Sequence, residues 1–299
     1  MRILITGASG FIGLPLTQRL LREGHQILAL SRTKIKVEKS INWIISDLSS
    51  PTTYMDEVKS FKPEVLIHLA WQDIPDFSFN KSISNLNQSL TFLSYVISLG
   101  YCKKILVSGS CFELNKLTGE CLESEKGSPK DNFTWSKHSL RLWLEIECKK
   151  QGITLGWMRI FYVYGPRQRS SSLVPTILIN LKNGKLPQIR TPNNSNDFLF
   201  IEDVVDAFSN ATMFDFPSGI YNLGSGITTS ILDICKIAEM MIQGTDTLSQ
   251  KLKNDSIDTS EVVNFWASNF RTKKYLEWSP SVSLEEGIKK TWLWINNLK

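Results

Sequence analysis

The sequence predicts an α/β chain in which a doubly wound parallel-sheet domain is followed by a smaller α/β domain. Three observations carry this expectation. Short apolar runs alternate with helix-length segments through the first half, a glycine closes several of the helical segments, and a glycine-rich turn directly follows the first run. Strands alternating with helices describe a parallel sheet with crossover connections.

The runs are Arg2–Thr6, Gln26–Ser31, Asn42–Ser46, Glu64–Ala70, Lys103–Ser110 and Thr154–Val163. They are close to continuously apolar, as strands covered on both faces must be. Gly24, Gly100 and Gly152 each follow a helical stretch and precede a run, where a left-handed C-cap is wanted. Right-handed crossovers then wind the sheet in both directions. After Tyr164-Gly165-Pro166 the rhythm breaks into shorter helices, Pro-containing loops and isolated strands such as Asp197–Ile201 and Gly219–Leu223. The boundary is therefore set at 165, with residues 1–165 as the first domain and 166–299 as the second. Segments near 196–212 and 219–226 are the parts of the second half able to return to the first. The polar stretch Ser249–Ser260 reads as a surface loop.

The chain has 299 residues, of which 42% are hydrophobic, enough to bury a full core. Its net charge of +5 is mild and its Lys and Arg residues are scattered, so no nucleic-acid footprint is expected and an anionic small molecule suits it better. Cys102, Cys111, Cys121, Cys148 and Cys235 are odd in number and form no C-x-x-C pair, which argues against a disulfide framework and against a structural metal. A reducing cytoplasm fits. Met1-Arg2 runs straight into Ile3-Leu4-Ile5, and no apolar stretch reaches the ~18 residues of a membrane span, so a soluble, unexported protein is expected.

Thr6-Gly7-Ala8-Ser9-Gly10-Phe11-Ile12-Gly13 lies between the first predicted strand and the first helix. In that context Gly7 permits the tight turn, Gly10 lets backbone approach a pyrophosphate, and Gly13 lets helix and strand pack closely. The helix N-terminus adds amide donors and partial positive charge. A Rossmann-type dinucleotide site follows, with Ser9, Phe11 and Ile12 among its residues. At the end of the second strand Ser31-Arg32 stands where an NAD-selective site places an acid. A hydroxyl and a guanidinium suit a ribose 2′-phosphate, which favours NADP.

Asp47-Leu48, His68-Leu69-Ala70, Asn85, Ser108-Gly109-Ser110, Ser136-Lys137, Arg159, Tyr164-Gly165-Pro166, Phe198–Asp203 and Tyr221–Gly226 follow one another along almost the whole chain. In that order they resemble the extended short-chain dehydrogenase/reductases, the NAD(P)-dependent epimerases and dehydratases. Within these the chain looks most like the O-antigen enzymes that reduce nucleotide-linked 6-deoxy-4-keto sugars, the group that includes CDP-abequose synthase. The resemblance implies that Asp47 and Leu48 flank the adenine and that Leu69 and Ala70 touch the cofactor beside the pyrophosphate. It leaves His68 to strand-end packing and gives Asn85 backbone contacts that stabilise its helix.

Reducing a ketone needs a hydride and a proton for the developing alkoxide. The resemblance implies a Ser or Thr after the fifth strand and a Tyr-x-x-x-Lys pair on the next helix, the lysine holding the nicotinamide ribose. Four-residue spacing puts that pair on one helix face. Here the register is Phe133-Thr134-Trp135-Ser136-Lys137, so phenylalanine takes the place of the proton-bearing tyrosine. Three accounts fit: a tyrosine replaced to trap a complex, a natural enzyme with another acid, or a binder without turnover. Ser110 is the expected hydroxyl toward the substrate oxygen, with Ser108 second. Thr134 and Tyr162 are the alternative donors, although an alcohol is too weak an acid alone and Tyr162 can simply pack. Cys111, next to Ser110, has the character of a small buried hydrophobe more than of a nucleophile. Asn196-Asp197 departs from the Arg-Asp of the resembled family; Arg167, Arg169 or Arg190 would then hold the diphosphate.

The expected activity is NADPH-dependent reduction of the 4-keto group of a dTDP- or CDP-linked 6-deoxy-hexulose in deoxysugar and O-antigen synthesis. Ser110, Phe133 and Lys137 mark the catalytic positions, and Ser108, Cys111, Tyr162, Arg167 and Arg190 the substrate side. An NAD-retaining nucleotide-sugar epimerase or dehydratase is the enzymatic alternative, separable by cofactor content; a non-catalytic cofactor-binding protein is the other. A homodimer is expected, because the helix from Phe133 to Lys150 has apolar residues on two sides: Leu140, Trp143 and Leu144, and Trp135, Leu142 and Ile146.

Overall fold

The computed structural model describes residues 1–33, 41–116, 118–255 and 262–297. The first half runs β1 (Arg2–Thr6), α1 (Gly13–Arg22), β2 (Gln26–Ser31), β3 (Asn42–Ile45), α2 (Met55–Phe61), β4 (Val65–His68), α3 (Phe79–Ser98) and β5 (Lys104–Ser110). It continues through β6 (Thr118–Cys121), α4 (Asn132–Gln151), β7 (Thr154–Ile160) and β8 (Tyr162–Tyr164). The second half adds α5 (Leu173–Lys182), β9 (Ser195–Asn196), β10 (Phe198–Phe200), α6 (Ile201–Met213), β11 (Gly219–Leu223) and β12 (Thr229–Ser230). It ends with α7 (Ile231–Gln243), α8 (Thr247–Asp255), β13 (Asn264–Ala267), α9 (Phe270–Leu276) and α10 (Leu284–Asn296).

Seven strands form one parallel sheet in the order β11-β7-β5-β4-β1-β2-β3. The chain therefore winds outward in one direction from β1 and in the other from β4, and the order reverses between them, the place where α/β sheets bind ligands. Alternation along β1 divides the core. Ile3 and Ile5 face one side with Leu106, Met158, Val204 and Phe208, while Leu4 faces the other with Phe92, Ile105, Leu144 and Trp157. Helices α1 and α6 pack together, as do α3 and α4. Helices α5, α7 and α10 enclose a third core around Ile177, Leu178, Ile234 and Ile288.

Three readings need correction. Thr154–Val163 is not one strand: it breaks at Phe161, whose amide donates to Leu223 O at 2.9 Å, and Tyr162–Tyr164 then pairs with Phe198–Phe200 outside the main sheet. Nor are the two later strands isolated. Gly219–Leu223 is the edge strand of the seven-stranded sheet, parallel to Thr154–Ile160. Ser249–Ser260 is not a loop as far as Asp255, because Thr247–Asp255 is helical. The buried Glu239 carboxylate accepts from the amides of Leu248 and Ser249 at 2.8 and 2.7 Å, capping that helix from a neighbouring one. Such a cap leaves no local sequence signal. The rest of the stretch, 256–260, lies outside the described residues.

The switch point is built from backbone contacts. Gly7 has φ +69° and a side chain there would stand 2.9 Å from the amide nitrogen of Ala70; one on Gly13 would stand 2.1 Å from Gly7 O. Thr6 Oγ1 accepts from Ala70 N at 3.3 Å and lies 2.9 Å from His68 Nδ1, while His68 Nε2 lies 3.1 Å from Ser89 Oγ. His68 thereby ties β1, β4 and α3 together, fully buried.

Gly13→Ala is expected to lower stability by about 1–3 kcal/mol, because its neighbours are backbone and cannot repack; an unchanged melting temperature would contradict this. Burial, with the Lys137 charge adding to it, lowers His68 to about 3 from 6.5. The unfolded chain takes up that proton below 6.5 and the folded one does not, so stability falls as pH drops through 6.5 toward 3. Melting temperature should decline between about pH 7 and pH 5, with a shallower slope in His68→Asn; equal slopes would show that His68 is not the group.

Candidate active-site cleft

Two adjoining pockets lie over the carboxyl ends of the central strands. One, of about 410 Å³, is lined by Ser9, Ser31, Arg32, Asp47, Leu48 and Ala70. The other, of about 540 Å³, is lined by Phe11, Ile12, Gly13, Ser108, Ser110, Phe133, Lys137 and Arg167. Gly7, Gly10, Leu69 and Trp71 line both. The fold thus brings together the residues expected at a dinucleotide, from the ends of β1, β2, β3 and β4 and, with Lys137, from α4.

In the first pocket Ser9 and Ser31 hydroxyls bond each other, and Arg32 is exposed at the rim. Asp47 accepts from Ser49 N at 2.9 Å and from Gln72 Nε2 at 2.7 Å. Burial pushes its carboxyl up, but these bonds and the Arg32 charge outweigh that and hold it below the usual carboxylate range. Asn85 ties the same wall to α3: its Oδ1 accepts from Gln72 N at 2.7 Å and its Nδ2 donates to Lys81 O at 2.8 Å.

The second pocket is held by the start of α4. Asp131 caps that helix, accepting from Thr134 N at 2.8 Å, and Thr134 returns its hydroxyl to the cap. One turn on, Lys137 is buried and donates to Ser108 O at 2.9 Å. Burial lowers its ammonium to about 8, against the attraction of Glu113, which raises it. Phe133 stacks on Phe77 at 4.7 Å and meets Trp71 edge-on at 5.6 Å, while the Trp71 ring centre lies 4.1 Å from Lys137 Nζ. Ser110 accepts from Phe112 N at 3.2 Å, which leaves its own O–H to donate. Among the described residues, the lining of this pocket contains no Asp, Glu, His, Cys or Tyr.

Several expected residues lie elsewhere. Thr134 spends its hydroxyl on the helix cap and is fully buried. Cys111 is buried behind the strand end, and burial drives its thiol far above the usual range. Tyr162 packs among Phe112, Phe198 and Phe265 at 5.6–6.1 Å rather than lining either pocket. Arg190 is exposed away from both pockets. Arg167 and Arg169 do reach the wall, and Arg169 is braced on Ser172 Oγ at 3.1 Å. Asn196 is buried outside the cleft.

Glu113, Trp71 and Phe77 escaped the sequence reading. Glu113 was findable: Ser110-Cys111-Phe112-Glu113 is a capping-box spacing. Its carboxylate accepts from Ser110 N at 2.7 Å and from Trp157 Nε1 at 3.1 Å, and burial raises its pKa against the nearby Arg159 charge. Trp71 directly follows the His68-Leu69-Ala70 motif, whereas Phe77 carries no local signal.

The chain is similar over 98% of its length to the dTDP-D-glucose 4,6-dehydratase of Bos taurus, at 24% identity and covering 88% of that protein. It is 25% identical to the CDP-abequose synthase of Salmonella muenchen, covering 97% of this chain and 96% of that one. Its fold superposes on the UDP-glucose 4-epimerase of Thermotoga maritima, solved with UDP-glucose, with a TM-score of 0.85, 22% identity and 99% of each chain covered. The model of the NAD dependent epimerase/dehydratase family matches residues 3–224, from β1 through the edge strand β11, and the chain belongs to that family.

Proposed function

We propose that the protein is an NADPH-dependent 4-ketoreductase of a dTDP- or CDP-linked 6-deoxy-hexulose, acting in the cytoplasm in deoxysugar and O-antigen synthesis. The observation that carries this is the grouping of Ser110, Lys137 and position 133 around one pocket, next to a second pocket that ends in Ser31 and Arg32. The glycine turn supports a dinucleotide, since bare backbone stands where any side chain would collide. Arg32 at the rim supports a 2′-phosphate. NADPH, when bound, supplies the hydride. Lys137 would hold the nicotinamide ribose, the free O–H of Ser110 would bond the ketone oxygen, and Arg167 with Arg169 would meet the diphosphate. The similarity to CDP-abequose synthase points the same way. Residues 1–165, with the returning segments near 196–212 and 219–226, would form the NADP-binding domain, and the rest of 166–299 the sugar-nucleotide domain.

Phe133 is the observation that favours the non-catalytic reading, because the carbon edge at that position has no proton to give. Kinetics at this position separate the two. Phe133→Tyr should raise kcat by about 10²–10⁴ in single-turnover NADPH oxidation with a panel of nucleotide-linked 4-keto sugars. Adding Lys137→Ala should remove the gain. No acceleration on any substrate, or ordinary turnover by the Phe133 protein, would overturn the assignment of position 133. Equal rates with NADH would overturn the cofactor preference.

The homodimer expectation has a surface to rest on. Leu140 and Leu144 are buried, while Trp135, Leu142 and Ile146 on α4 are 47%, 44% and 55% exposed. Pairing of this face with its copy would cover them. Sedimentation at micromolar concentration should give a dimer, and Ile146→Glu should shift it to monomer; a monomeric starting protein would contradict the proposal.

A further inference from the structure

Trp71 is the largest of the four residues that line both pockets, and its ring lies beside the Lys137 end of the second. Its ring covers Lys137, with 4.1 Å from ring centre to Nζ. An ammonium has three N–H donors. One is given to Ser108 O at 2.9 Å, the ring takes a second side, and the residue is only 3% exposed. A ribose diol presents two hydroxyl oxygens that can both accept from one ammonium, so ring and diol compete for the N–H groups that Ser108 leaves free.

The backbone on either side is pinned. Ala70 N donates to Thr6 Oγ1 at 3.3 Å, and Gln72 N donates to Asn85 Oδ1 at 2.7 Å. The Gln72 side chain is itself held by Asp47 at 2.7 Å. The loop is therefore not the moving part, and the freedom that remains is rotation of the half-buried indole about its own side-chain bonds.

We propose that Trp71 is a rotating partition: a dinucleotide spans the cleft only when the indole swings off Lys137, whereas a ligand confined to the Ser31–Arg32 pocket binds with the ring in place. This rests on the reading of Lys137 as the ribose-holding residue. The partition makes the nicotinamide half of the cofactor compete with a cation–π contact, so part of its binding free energy goes into turning the ring.

The test compares NADP with 2′,5′-ADP, which carries the adenosine half alone, on the full chain and on Trp71→Ala. Trp71→Ala should bind NADP roughly 3- to 30-fold more tightly, with 2′,5′-ADP affinity unchanged within about twofold. In the unsubstituted protein, the part of the tryptophan emission that Trp71→Phe abolishes should change on adding NADP and not on adding 2′,5′-ADP. This second readout needs no alanine variant. An equal effect on both ligands, or unchanged or weaker NADP binding by Trp71→Ala, would overturn the partition while leaving the cofactor reading intact. Failure of both ligands to bind either protein would overturn the cofactor reading and the partition with it.

Discussion

Everything at this site depends on how closely the first helix approaches the first strand. Gly13 sits against the carbonyl of Gly7 with no room for a carbon between them, and Gly7 presses on the backbone of Ala70. That approach brings the N-terminus of α1 over the point where the strand order reverses. It also fixes the loop after β4, because Thr6 reaches across to bond Ala70 and His68. Trp71 and Gln72 take their positions from that loop, Asn85 on α3 holds it from the other side, and the Trp71 ring lies over Lys137. The turn sets the geometry of both pockets.

The charges beneath the Ser110 end of the cleft are costly, and they are arranged to offset one another. Glu113 and Arg159 are both fully buried, and each shifts the other toward its charged form against the opposing push of burial. Arg159 donates to Asn222 Oδ1 and to Glu125 O at 3.4 Å, long bonds for a buried guanidinium. Glu113 is better satisfied, by the Ser110 amide and the Trp157 indole. Buried charge of this kind contributes little net stability. It does fix the strand end on which Ser110 sits, and it favours the charged form of Lys137 across the same core.

The sheet strands were legible because each is a short apolar run bounded by turn residues, and the dinucleotide turn because three glycines fall at positions set by backbone contacts. For the last strand of the sheet the sequence offered only that the segment near 219–226 could return to the first domain, without its partner. Gly219–Leu223 joins the sheet through a parallel pairing more than fifty residues from its partner, and no local pattern reports a contact of that range. The same limit hid the capping of α8 by Glu239. The motif-borne site residues line the two pockets, whereas Tyr162 and Cys111, expected beside motif residues, and Arg190, expected as a phosphate-holding arginine of the later loops, do not. The strand ends at Ser110, and Cys111 opens the tight 3-10 turn Cys111–Leu114 that Ser110 caps, where its side chain is buried in a small core with Leu114, Cys121 and Phe161.

Phenylalanine at 133 changes the electrostatics of the pocket as well as removing a proton. A tyrosine there would give Lys137 a phenolic oxygen to stabilise. With a carbon edge instead, the ammonium is stabilised by one carbonyl and by the indole face, and Phe77, Phe133 and Trp71 close an apolar wall beside it. In such a wall each remaining donor acts at low effective dielectric, so Lys137 and Ser110 weigh more heavily on a bound oxygen than they would in a wetter cleft. In the proposed reading such a wall would strengthen the hold on a substrate oxygen, while among the described lining Lys137 and serine hydroxyls stand in place of a phenol. If the cleft reduces a ketone as proposed, holding the oxygen and delivering the proton, which one tyrosine would join, fall to different groups in this chain.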